Sequence, residues 1–133
     1  MSTNIERQSD TDLTTITWYG FRRVPGDLPG NDMLSQSAGR LWRFDGALAR
    51  MVVHQPLHSQ TGLSWGHISD ACRDTALSLL LNSGLKFDEA LERYERFADE
   101  VVAEFPVETF TYTGRELSVW LNQDDVRRSK IAG

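Results

Sequence analysis

Phe87-Asp88-Glu89-Ala90-Leu91-Glu92-Arg93-Tyr94-Glu95-Arg96-Phe97-Ala98-Asp99-Glu100-Val101-Val102 is the stretch whose reading decides the fold. Its apolar residues Phe87, Ala90, Leu91, Tyr94, Phe97, Ala98, Val101 and Val102 return every three or four positions, which is the period of one helix face. Phe105 extends the stripe. Pro106 ends it, because proline lacks an amide hydrogen and clashes with the preceding turn. Just upstream, Cys72, Ala76, Leu79 and Leu80 repeat at the same spacing, with Leu77 and Leu81 widening the face. Ser69 is suited to cap that helix, with Asp70 in its first turn and Gly84 suited to the left-handed position after its end. Two helices joined by so short a link form a helical hairpin.

The flanking segments supply strands. Thr14-Thr15-Ile16-Thr17-Trp18-Tyr19-Gly20-Phe21 is rich in β-branched and aromatic residues. Arg40-Leu41-Trp42-Arg43-Phe44 and Ala47 to His54 flank Asp45-Gly46, a pair that predicts a tight hairpin turn with positive φ at both residues. Phe110-Thr111-Tyr112 reads as a late short strand. Thr113 and Glu116 fit a capping box that opens a short helix carrying Leu117, Trp120 and Leu121. The order predicts an α+β domain: a small antiparallel sheet, made of a strand, a β-hairpin and a late short strand, packed against a helical hairpin and a short C-terminal helix. The expected boundaries are a disordered segment at 1–12, a single domain at 13–123 and a charged, frayed tail at 124–133. Pro25 to Asn31 reads as a loop, as does Gln55 to Ser69.

With 133 residues, 40% of them apolar, the chain is long enough for a core without staples. The single cysteine excludes a disulfide framework. The polar beginning of the chain and the lack of a long apolar run predict a cytoplasmic protein with no membrane contact. The net charge of −5 is concentrated: residues 86–108 hold eight acids against Lys86, Arg93 and Arg96. Such a segment repels phosphate backbones, so no direct nucleic-acid contact is expected there, and a basic protein surface is its complement.

Trp18-Tyr19-Gly20-Phe21-Arg22 resembles the opening of a family of bacterial and phage domains of unknown function. His58-Ser59-Gln60-Thr61-Gly62-Leu63-Ser64-Trp65-Gly66 is similar to that family's His-Ser-Pro-Thr-Gly-aromatic-x-Trp-Gly stretch, with Gln60 in place of proline. Ala76-Leu77-Ser78-Leu79-Leu80 resembles its alanine-leucine helix. Tyr94, Phe97, Glu100-Val101-Val102 and Phe105-Pro106 resemble its second helix. The likeness covers roughly residues 17–121. It implies occurrence in phages, plasmids and their hosts, and it supplies no catalytic residue.

Five groups of residues bear on function. His54, His58, His67 and Asp70 are the residue types of a zinc shell and would serve a small metal-dependent hydrolase. Pro56 argues against a helix that would converge the first two, and the spacing fits no specific motif. Cys72 lies in a first helical turn, where a thiol can be activated, yet it also falls on an apolar stripe. Ser64 lacks a nucleophile elbow. The His58–Gly66 loop reads either as a ligand loop or, more plainly, as a turn in which Trp65 plugs the core. Asp88, Glu92, Glu95 and Asp99 share one stripe of the second helix, beside the expected i,i+4 pairs Glu89–Arg93 and Arg96–Glu100. Trp18, Trp42, Trp65 and Trp120 are expected to share the core, and Trp42, on the hairpin, is also a candidate partner contact. No glycine-rich phosphate loop is present.

The expectation is a small acidic, non-enzymatic protein-interaction module without a cofactor. Asp88, Glu92, Glu95, Asp99 and Trp42 are its contacts. A mobile-element inhibitor of a host defence or nucleic-acid-processing complex is its concrete version. A homodimer through the open hairpin edge is a further reading.

Overall fold

The structure, a computed structural model, describes residues 13–21, 39–58 and 63–132. The expected disordered segment 1–12, the loop 25–31 and the middle of the His58–Gly66 loop lie outside the described residues. A 3-10 turn, Leu13–Thr15, leads into strand β1, Ile16–Phe21. Strands β2, Arg40–Asp45, and β3, Leu48–Met51, form the hairpin. Helices α1, Asp70–Asn82, and α2, Phe87–Glu100, follow. A second 3-10 turn, Val102–Glu104, precedes strand β4, Thr109–Thr113, and helix α3, Gly114–Ala132.

The four strands form one antiparallel sheet in the order β3-β2-β1-β4. Side chains of a strand alternate between faces, so the sheet has two unlike sides. Ile16, Trp18 and Gly20 of β1, Leu41 of β2, and Phe110 and Tyr112 of β4 are buried on one side. The helices close over that side: Tyr112 meets Phe97 of α2, and Phe97 in turn meets Trp120 of α3 at 4.9 Å. Gly20 is a required small residue. A Cβ there would sit 2.1 Å from Phe110 Cε2, the neighbour it faces across the β1–β4 ladder.

The α+β architecture, the helical hairpin and both caps follow the sequence. Ser69 Oγ accepts from the Cys72 amide at 3.1 Å. At the other end of α1, Gly84 has φ +110°, and the Leu85 and Gly84 amides donate to Leu80 O and Leu81 O, which satisfies carbonyls the helix leaves open. The capping box forms as expected: the Thr113 amide donates to Glu116 Oε1 at 3.0 Å, and the Glu116 amide to Thr113 Oγ1 at 3.1 Å.

Two expectations need correction. The hairpin turn is Gly46-Ala47 between paired Asp45 and Leu48, not Asp45-Gly46. Only Gly46 has positive φ (+62°), the pattern of a turn with glycine first. The C-terminal helix is long: it runs through the segment 124–133, expected to be a frayed tail, as far as Ala132, and Asp124 within it has no solvent exposure. Tertiary ion pairs hold that segment.

Candidate functional site

Helix α2 separates its charges. Arg93 and Arg96 do not pair with Glu89 and Glu100 along their own helix, as helical spacing predicts, but reach across to α3. Arg93 Nη1 donates to Asp124 Oδ2 at 3.1 Å and Nη2 to Asp125 at 2.5 Å. Arg96 grips Asp124 at two points, 2.7 and 2.9 Å. Arg127 of α3 returns the exchange, donating to Glu100 at 2.5 and 2.9 Å, and Trp120 Nε1 donates to the same carboxylate at 2.9 Å. Burial disfavours ionisation of Asp124, but the guanidiniums of Arg96, Arg93 and Arg127 outweigh it and hold the carboxyl below its ordinary value. The hydrogen bond from Arg127 likewise lowers Glu100.

The outer stripe of α2 keeps its acids. Asp88, Glu92, Glu95 and Asp99 are all exposed. Glu92 pairs with Arg128 at 3.2 Å. Among the described residues no cation pairs with Asp88, Glu95 or Asp99. Phe87 and Leu91, assigned by periodicity to the buried stripe, are instead exposed beside these acids.

The histidines go to separate partners. His54 Nε2 donates to Asp74 Oδ2 at 2.8 Å. His58 Nε2 shares a 2.5 Å hydrogen bond with Tyr94 Oη. His67 Nε2 lies 3.1 Å from Ser64 Oγ, and Asp70 pairs with Arg73 at 3.2 Å. Among the described residues no group of three or more His, Cys, Asp or Glu side chains is placed to hold a metal ion. The hydrolase reading that gathered His54, His58, His67 and Asp70 thus lacks a convergent ligand set.

What these contacts do is fasten loops. Asp74, Thr75 and Ser78 are buried polar residues of α1. Asp74 Oδ1 accepts the His58 amide at 2.8 Å and the Leu57 amide at 3.3 Å. Ser78 Oγ accepts the Gln55 amide at 2.8 Å. Thr75 Oγ1 accepts the Ser64 amide at 2.8 Å and donates to its carbonyl at 2.6 Å. The helix thus satisfies amides of the loop backbone, that of buried Ser64 among them. Sequence reasoning missed Asp74, although a carboxylate between Cys72 and Ala76 on an apolar stripe is the signal for it.

Trp65 is fully buried and meets the Phe110 ring edge-on at 4.9 Å, so this residue of the loop plugs the core. Cys72 is also fully buried, and burial, aided by Asp99, pushes its thiol up to about 11. That is the opposite of an activated nucleophile.

Trp42 has a different setting from the other three tryptophans. Trp18, Trp65 and Trp120 are buried on the helix-covered side of the sheet, whereas Trp42 is half-buried on the opposite side. Its cross-strand partners there are Tyr19 and Met51. Tyr19 and Phe44, both exposed, were missed as companions of Trp42, although the two-residue alternation of β1 and β2 sets all three on one face.

No curated protein and no solved structure matches the chain. A family model described as a family of unknown function, DUF6166, matches residues 33–123, which is most of the chain, and the protein belongs to that family.

Proposed function

We propose that the protein is a non-enzymatic interaction module that binds a basic protein surface through the outer face of α2. One observation carries this reading. Arg93, Arg96 and Arg127 are turned onto Asp124, Asp125 and Glu100, and although Arg128 neutralises Glu92, Asp88, Glu95 and Asp99 face solvent with no cation paired to them among the described residues. The field leaving this face is therefore acidic, and such a field raises the association rate of a basic partner and discriminates against acidic ones. Asp88 to Asp99 spans about 16 Å of helix, a row of carboxylates comparable in pitch to a short run of backbone phosphates. The concrete version is a mobile-element inhibitor, acting in the cytoplasm, that occupies the basic groove of a host defence or nucleic-acid-processing complex.

The test is capture of partners from a host lysate by the tagged protein and by a variant carrying Asp88→Lys, Glu95→Lys and Asp99→Lys. The native protein is expected to retain a basic protein at low salt and release it at high salt. The variant, with an unchanged melting temperature, is expected to retain none. Equal retention by both proteins would overturn the reading.

A further inference from the structure

Among the described residues no helix covers the outward side of the sheet. Tyr19 and Phe44 are each 37% exposed and Met51 is 53% exposed, with Trp42 and Phe21 half-buried beside them. Tyr19 stands directly opposite Trp42, and Arg40 opposite Phe21, across the β1–β2 ladder. The Tyr19 and Phe21 rings are 5.7 Å apart. The other outward positions of the described strands are threonines and Ala49, none of them acidic, and Glu116, at the Thr113 edge, is held in its capping bonds. The hydroxyls of this side donate and accept, and its Trp42 indole and Arg40 guanidinium only donate. Among the described residues neither the Tyr19 hydroxyl, the Trp42 indole nitrogen nor the Arg40 guanidinium has a hydrogen-bond or ion-pair partner.

We propose that this face, centred on Trp42 and Tyr19, is a second docking surface, for a segment of another protein that brings apolar side chains and a carboxylate. Tyr, Trp, Phe, Met and Arg are the residues enriched in interface cores, and Trp, Tyr and Arg are those that dominate binding energy. The carboxylate follows from charge complementarity, because among the described residues the Arg40 guanidinium has no acidic partner. A second copy placed face to face would bring Arg40 against described strand positions that hold no acid, so it fits less well. A nucleic-acid strand needs a cation for most of its phosphates, and Arg40 is the only one at the described outward strand positions. This surface lies on β1, β2 and β3 and does not depend on the acidic stripe of α2.

The test uses the full-length protein, isotopically labelled, titrated with soluble peptides that have apolar residues at alternate positions. One peptide carries a central glutamate, its match carries lysine, and a thymidine oligonucleotide is the third probe. The glutamate peptide is expected to shift the Trp42 indole resonance and the amides of Tyr19, Arg40 and Phe44. Trp42→Ala should weaken it about tenfold or more. Arg40→Glu, at an exposed position, should transfer the preference to the lysine peptide without loss of folding. The Asp88, Glu95 and Asp99 lysine variant should bind the peptide as the native protein does. Equal response to both peptides, shifts elsewhere, saturation of this face by the oligonucleotide, or concentration-dependent shifts without any probe would each overturn the proposal.

Discussion

Arg96 of α2 and Asp124 of α3 meet in a two-point pair, Nε to Oδ1 at 2.7 Å and Nη2 to Oδ2 at 2.9 Å, at a carboxylate with no solvent exposure. Arg93 and Arg127 share the same carboxylate. A buried acid held by three guanidiniums leaves uncompensated charge when it is removed, a loss of about 3–5 kcal/mol. Asp124→Ala is expected to lower the urea midpoint accordingly. Truncation after Gln123 should do at least as much harm. A truncated chain as stable as the full one would refute this account of α3.

The same cluster sets the acid sensitivity. Asp124 and Glu100 titrate below their ordinary values of 3.8 and 4.5. A carboxyl depressed in the folded state contributes stability above its unfolded value, and that contribution disappears as pH falls through the folded value. Stability should therefore be level above about pH 5 and fall below it. Asp124→Asn should flatten that acid limb in melting curves taken across pH, while Glu100→Gln, at a more exposed site, should change it less.

Cys72 should behave as an inert thiol. With its thiol pushed up to about 11 and its side chain fully buried, the reactive thiolate is scarce at neutral pH. Alkylation by iodoacetamide is expected only with denaturant present. Rapid labelling of the native protein would contradict the packing of α1 on α2.

Asp74 fastens the segment after β3. Asp74→Ala would strand the His54 ring and the Leu57 and His58 amides, at about 1–3 kcal/mol for a segment able to regain water. Hydrogen exchange should speed most at His58. If the exchange rate there is unchanged, the carboxylate does not hold the loop.

Gly20→Ala places a methyl against the Phe110 ring, at a site where the nearest ring carbon is 2.1 Å from the new Cβ. Overpacking of this kind costs about 1–3 kcal/mol unless the ring moves. Thermal melting reads the cost. The paired substitution with Phe110→Leu should recover part of it.

The two helices of the hairpin, the start of α3, the strands and the caps were legible in the sequence because each is written in local spacing, whereas Trp42, expected with the other tryptophans in the core, lies on the opposite side of the sheet. Phe97, Ala98 and Tyr94 declare a buried face by period alone, and Thr113 with Glu116 declares a helix start. The turn at Gly46-Ala47 was displaced by one residue, because the dipeptide Asp-Gly is compatible with either turn and the strand register chooses between them. Of the candidate contacts, the exposed acids were readable from helical spacing and the face of Trp42 from strand alternation.

By itself, the sequence determined an α+β chain with its charge concentrated on one helix, since propensity, capping and hydrophobic period are properties of neighbouring residues. Tertiary structure alone decided three things: that Arg93 and Arg96 serve Asp124 rather than their helical neighbours, that the histidines take separate partners, and that the segment after Gln123 is helix rather than tail. The physical reason is common to all three. A charged or polar side chain is satisfied by whatever the folded chain brings within reach, and residues such as Arg96 and Asp124, far apart in sequence, leave no local mark of their meeting.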